Sequence, residues 1–411
     1  MFFGWWVVTA GAGLQFIIGA LLGQAYGAYI PLLKETFGWS QTALAGASSL
    51  REAESGILGP IQGWLVDRLG PRAVIRIGLC ILGAGFMAFS QVQSLLAFYV
   101  VFFIMAIGAS MSGWTSITTA AVRWFERRRS TAISITSAGY ALGGMAIPLT
   151  VLSLERLGWR ETAFLSGVIV LVAGLPITLL IKNSPHEIGL GPDGDQLDPH
   201  ARQLAARGIT PIAPTDFTLR EAMRERSFWF VALGHASALF IVSAMNVHLV
   251  SFLKESQGYT LGQASAVVFS MTLLQFVGTL SGGPIGDRFS KRWLVTVCMG
   301  MHVGGLLMLS HATSVVMVGA FAALHGLAWG WRGPQMAAIR ADYFGRSSFG
   351  KILGVSNLVI IIGTILGPII AGVLYDQTGT YGVGFDTLAV IAGLGSVFFI
   401  LAKKPVKRPA K

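Results

Sequence analysis

Twelve apolar stretches separated by short polar breaks leave this chain few folds to choose from. A helix needs roughly 20 apolar residues to cross about 30 Å of hydrocarbon. Such stretches fall at 6–31, 43–66, 73–90, 95–120, 131–153, 162–181, 228–252, 262–284, 293–310, 313–339, 353–374 and 384–402. Lipid offers no hydrogen-bond partners, so each stretch must satisfy its own backbone, as a helix does. Composition agrees: 53% of the 411 residues are hydrophobic and 12% are charged, about half the roughly 25% usual in soluble domains. A soluble enzyme, a disordered chain and a coiled coil are excluded.

The first stretch is not read as a cleavable signal, because MFFGWWVV has no basic residue before it and the apolar run is too long. Cys80 and Cys298 lie inside apolar stretches and are expected as buried thiols, not a disulfide. Most breaks are short, which makes neighbouring helices antiparallel. The long polar exception, about 182–227, splits the chain six plus six. The expected domains are therefore 1–182, a linker 183–227, a second half 228–402 and a basic tail 403–411.

The net charge of +11 could point to nucleic acid. It does not here, because the basic residues sit in short loops between apolar runs. The loops after the even-numbered stretches, together with the tail, hold 24 of the 30 Lys and Arg. The opposite loops hold only Lys34, Arg156, Arg160 and Lys254. The remaining two, Arg51 and Arg332, fall inside stretches 2 and 10. This asymmetry places both termini in the cytoplasm. Short loops and termini point to a bacterial inner membrane.

The halves repeat. Gly63-Trp64-Leu65-Val66-Asp67-Arg68-Leu69-Gly70-Pro71-Arg72 follows stretch 2, and Gly283-Pro284-Ile285-Gly286-Asp287-Arg288-Phe289-Ser290-Lys291-Arg292 follows stretch 8. Asp67 and Asp287 stand 220 positions apart, and Phe125/Phe344 and Phe164/Phe385 keep that offset within one residue. Two similar six-helix halves imply a pseudo-symmetric bundle with a midplane site between them.

The G-x-L-x-D-R-x-G-x-R loop and its weaker copy resemble the signature loop of the major facilitator superfamily, and the resemblance covers the whole chain. More narrowly, FGWSQTAL, RWFERRRSTAISITSAGYALGG, PHEIGLGPDGD and TLREAMRERSFWF are similar to segments of monocarboxylate and oxalate/formate-type transporters. The resemblance implies twelve transmembrane helices in two pseudo-symmetric halves working by alternating access. It also implies a cytoplasmic gate carried by Gly63, Asp67, Arg68 and Arg72, with Asp287 and Arg288 in the second copy. The plainer reading of Gly63–Arg72 is a tight hairpin with ordinary cytoplasmic charge. The chain departs from its relatives at Thr279, where their key arginine would lie, and at GVSNLVIIIG, which lacks the lysine of the oxalate type. The cargo is therefore not carried over from either group.

Ionisable groups inside a membrane are expensive and usually functional. By helical spacing Ala47, Arg51, Glu54 and Leu58 share one stripe, Glu52 lies on another face, and His325, Trp329, Arg332 and Met336 form a stripe flanked by Trp331 and Gln335. In one reading Arg51 pairs with Glu54 and Glu52 with Arg332, all structural. In the other, an arginine faces a cavity and binds a carboxylate through its forked donors, while protonation of Glu54, Glu52 or His325 couples a proton to the anion. Tyr26, Tyr140, Trp114, Asn246, Gln275 and Asn357 complete the candidate substrate-binding set. Gln15, Gln24, Tyr29, Thr115, Thr118, His235 and His248 are further polar positions, each best read as an interhelical hydrogen bond. Gly19/Gly23/Gly27, Gly56/Gly59/Gly63, Gly143/Gly144 and Gly363/Gly367 are packing ladders.

Gly345–Lys351 has the first seven positions of a phosphate loop, but Ile352 replaces the Ser or Thr and no strand precedes it. There is no HExxH, no Cys/His metal spacing and no nucleophile elbow, so no cofactor, metal or enzymatic activity is expected. Arg127-Arg128-Arg129 reads as cytoplasmic charge with contact to anionic lipid, and 216–226 as a short amphipathic surface helix. The expectation is a monomeric secondary transporter moving a small organic anion, a carboxylate, with a proton. An anion exchanger and a transporter-like sensor stand as alternatives.

Overall fold

A computed structural model describes residues 2–23, 25–197 and 216–407, apart from the side chains at 41, 42, 45, 48, 49, 52, 53 and 261. Gln24 and the side chain of Glu52 thus lie outside the described residues. The described chain is helical, with one isolated bridge, Leu190 to Gln196, in the linker.

Twelve long helical elements follow one another. They are α1 (Gly4–Phe37), α2 (Gln41–Leu69), α3 (Pro71–Phe89), α4 (Leu95–Trp124), α5 (Arg129–Leu157), α6 (Trp159–Leu180), α7 (Arg226–Glu255), α8 (Leu261–Arg288), α9 (Lys291–Ser310), α10 (Val315–Phe344), α11 (Phe349–Thr378) and α12 (Tyr381–Leu401). Ten are both long and apolar enough to span a membrane. Among the described residues α2 and α10 fall outside that set, and they carry the buried Glu54, Arg332 and Arg340. Several helices outrun the apolar stretches. Predicted 313–339 is observed as Val315–Phe344, and 353–374 as Phe349–Thr378. Backbone hydrogen bonding continues past the apolar stretch, and long polar side chains reach water from there. Arginines assigned to loops are therefore helical, among them Arg123, Arg129 and Arg340, the last two only 3% and 1% exposed.

Starts and stops follow local chemistry. Ser40, Ser94 and Ser314 accept the backbone N–H three residues on, and Thr260 forms a capping box with Gln263. Gly38 closes α1 at φ 69°. Some long elements are interrupted. A π-helical turn occupies Gly19–Gly23 in α1 and another Val170–Gly174 in α6, α4 breaks at Gly113, and α5 breaks at Ala146 before Pro148.

By Cα proximity the chain divides into two compact units. One runs to Pro214 and includes Arg346–Val355. The other comprises Thr215–Gly345 and Ser356–Lys411. In the first, α1 and α5 touch backbone to backbone: a Cβ at Gly139 would strike the Ala12 carbonyl, and one at Gly143 would lie 2.5 Å from the Phe16 carbonyl. In the second, α8 and α10 do the same through Gly278, Gly326 and Gly330. The core of this unit gathers Ile241, Met245, Met299, Leu306, Phe321 and Phe385, while Phe269, Val316 and Val390 point outward. Such outward apolar side chains are what a lipid-facing surface requires.

The start of the linker is held to the turn after α4. Arg127 places two N–H groups on Asp195 at 2.8 and 3.0 Å, and Asp193 accepts the Glu126 and Arg127 amides. Arg127 holds the Asp195 carboxyl below its ordinary range. The expected surface helix is Leu219–Arg224, capped reciprocally by Thr218 and Glu221.

Candidate functional site

Arg332 sits on α10, 1% exposed, and its Nε and Nη1 have no hydrogen-bond partner. Among the described residues no carboxylate lies within 4.0 Å of it. Its rotational position is set one residue before and three after. Trp331 Nε1 donates to Ser281 Oγ at 2.9 Å, and Gln335 Nε2 donates to the Gly282 carbonyl at 2.8 Å. Both bonds run to α8 and need Gly282 and Gly286. A Cβ at Gly282 would meet the Trp331 backbone at 2.8 Å, and one at Gly286 would collide with the Gln335 amide. Pro334 lies inside α10 and has no N–H to complete the turn. The Gln335 Oε1 is also buried without a partner.

Three imidazoles lie on or against α10 on either side of this charge. His325, two turns before Arg332, has ring contacts with Phe321 (5.2 Å) and Trp329 (6.4 Å). His302 of α9 lies with its Nδ1 3.1 Å from the His325 Nδ1. His235 of α7 is 3.5 Å from Arg340 Nη2. His302 and Arg340 escaped the sequence reading. His302 is a lone polar residue in VCMGMHVGG, and Arg340 falls one position past the predicted end of stretch 10. Arg340 is as buried as Arg332 but is bonded to the Met336 carbonyl at 2.6 Å and Ser356 Oγ at 3.2 Å.

In the first unit the charges are engaged. Arg51 Nη1 donates to the Gly23 carbonyl at 3.3 Å, at the end of the π turn of α1. Tyr140 packs on this turn, for a Cβ at Gly23 would overlap its hydroxyl. Glu54, 3% exposed, accepts from Gln62 Nε2 at 2.9 Å, and Gln62 also donates to Ser110 Oγ at 2.6 Å. Tyr26 donates its hydroxyl to the Leu44 carbonyl at 2.6 Å. Trp114 is half-buried just after the Gly113 break. In the second unit Asn246 is exposed and Gln275 is half-buried, and Asn357 on α11 is half-buried.

The repeat loop has a definite job in the first unit. Asp67 accepts the Gly350 amide at 3.1 Å and the Lys351 amide at 2.9 Å, the unsatisfied N–H groups opening α11. Arg123 stands 3.6 Å from the same carboxylate. Gly63 makes this possible, since a Cβ there would strike the Gly350 carbonyl. Gly70 turns the chain at φ 81° against Asn183, which accepts the Arg72 amide at 3.0 Å. Arg68 lies over the Trp64 ring at 5.1 Å. In the second copy Asp287 and Arg288 close α8, and Lys291 pairs with Asp342 at 2.9 Å.

Among the described residues, twelve long helices in two units, ten of them long and apolar enough to span a membrane, with charge buried inside them and small residues where helices touch, define a polytopic membrane protein. The family model described as Major Facilitator Superfamily matches residues 11–274 and 231–411, and the chain belongs to that family. It is 24% identical to a probable sulfoacetate transporter, SauU, of Cupriavidus necator (89% of this chain, 86% of that protein). It is 27% identical to the Mus musculus monocarboxylate transporter 11 (97% and 87%). Among solved structures it matches the E. coli fucose:proton symporter FucP with a TM-score of 0.74 at 15% identity, covering 97% of this chain and 98% of that one. It also matches the human organic anion transporter MFSD10 with a TM-score of 0.71 at 17% identity (96% and 98%). These relatives are transporters, not enzymes.

Proposed function

We propose that this transporter moves a small organic anion, a carboxylate or sulfonate, together with a proton, and that Arg332 binds the anion. The observation that carries the reading is the bare Arg332 guanidinium. An uncompensated buried charge costs several kcal/mol, and an anion is the ligand that relieves it. The guanidinium suits carboxylate and sulfonate oxygens, to which it donates charge-assisted hydrogen bonds. Trp329 and Trp331 would supply apolar walls for the rest of the molecule. Two relatives are named for anionic cargo, sulfoacetate and monocarboxylates. In this reading Glu54, Glu52 and His325 are the candidate proton sites, and the Asp67 contacts with the start of α11 form the gate. Both termini face the cytoplasm of a bacterial cell.

The test is uptake of labelled acetate, lactate and sulfoacetate into proteoliposomes under an imposed pH gradient, with binding measured on the same protein. Arg332→Ala is expected to weaken binding about 100-fold, or ~3 kcal/mol. Ordinary binding and uptake in a well-folded Arg332→Ala protein would overturn the assignment. Uptake that ignores the pH gradient and needs internal anion would replace symport with exchange.

A further inference from the structure

His302 on α9 and His325 on α10 form a buried pair. The ring centroids are 4.5 Å apart at an interplanar angle of 67°, the Nδ1 atoms are 3.1 Å apart, and both residues are 0% exposed. A hydrogen bond between two ring nitrogens holds one proton, so one imidazole donates and the other accepts. The acceptor must then carry its own hydrogen on Nε2. Both Nε2 atoms are buried and unpartnered. The neutral pair therefore strands one N–H and one lone pair, an arrangement with no structural advantage over an apolar contact.

The surroundings show what this pair responds to. Arg332 follows His325 by seven residues, two turns, on the same face of α10, and His325 in turn holds His302. Cys298 lies one turn before His302 on α9, and Phe321 and Trp329 flank His325 on α10. From α7 the ionisable group is His235, 3.5 Å from Arg340 Nη2. Gly395 of α12, packed on Met299, brings none, and α8 carries none between Leu261 and Pro284. The formal charges in this set are Arg332 and Arg340, and among the described residues no carboxylate lies within 4.0 Å of Arg332.

We propose that the His302–His325 dyad is the proton-binding site of this transporter, and that it takes up its proton when an anion neutralises Arg332. The dyad then gains one proton from the aqueous phase. The Nδ1–H···Nδ1 bridge is kept, both Nε2 atoms carry hydrogen, and the pair holds a single positive charge. Each ligand favours the other by the same factor, as linkage requires. The coupling rests on the anion reading of Arg332, but the dyad can be tested without any anion.

In nitrogen-15 histidine NMR of the full-length protein in nanodiscs, the two rings should titrate as one coupled unit. Arg332→Gln, or Arg332→Met if that variant does not fold, removes the neighbouring charge and should raise the midpoint of the dyad by at least one pH unit, a tenfold gain in proton affinity. His302→Gln should abolish the coupled signature while His325 remains. Two rings titrating independently, or a midpoint unmoved by loss of the Arg332 charge, overturns the proposal. Sulfoacetate, lactate and acetate binding to the unmodified protein is measured in parallel. Absence of that binding counts against the anion reading and leaves the dyad titration to be judged on its own.

Discussion

Arg51, Arg332 and Arg340 present the same five donors to three different surroundings. Arg51 reaches a carbonyl released by the π turn of α1, Arg340 reaches a carbonyl and a hydroxyl, and Arg332 leaves Nε and Nη1 bare. Sequence alone favours Arg332 over Arg51, because Glu54 stands three residues after Arg51 and can pair with it locally. The partner observed for Arg51 is instead the Gly23 carbonyl, brought by another helix. Asp67 makes a prediction at the same scale. Asp67→Ala removes the acceptor of two amides and the counter-charge of Arg123. It is expected to cost about 2–3 kcal/mol, read as a lower apparent Tm of purified protein. An unchanged Tm would show that the carboxylate is dispensable for stability. The G-x-x-x-D spacing was legible as a motif, but its reason was not. Gly63 is required because the Gly350 carbonyl passes against it, and Gly350 lies 287 residues away.

At the scale of elements, the existence of the helices was readable and their ends were not. Hydropathy reports where lipid contact stops, whereas a helix stops where its hydrogen bonds do, so α10 runs on to Phe344 and carries Arg340 inside. Interruptions were also hidden. The π turn at Gly19–Gly23 has no signature in the pattern of GALLG, yet it delivers the carbonyl that Arg51 uses. Glycine roles divide by contact, not by count. A Cβ on Gly330 would strike the Gln275 carbonyl and sit 2.6 Å from the Thr279 amide, whereas Gly300 meets nothing within 4 Å. Gly330→Ala should therefore force α8 and α10 apart and reduce the yield of monodisperse protein several-fold. Gly300→Ala should leave it unchanged. Equal behaviour of the two in size-exclusion chromatography would contradict the close packing of these helices.

For the whole molecule, the charge asymmetry of the loops makes a topological prediction. In a Cys80→Ser background, Gln93→Cys should react with a membrane-impermeant maleimide in intact cells, and Lys404→Cys only after permeabilisation. Labelling of both from the same face would refute the orientation. The class of molecule was settled by the chain itself. Twelve apolar runs, a 220-residue repeat and a D-R loop admit few architectures, because lipid forces each run to be a helix and the repeat forces two like halves. Which charges are satisfied was decided only by tertiary structure. His302 meets His325 across 23 positions, Asp67 meets Gly350 across 283, and Arg332 Nε and Nη1 meet no acceptor among the described residues. A polar atom's partners come from helices distant in sequence, and no local pattern records which of them will arrive.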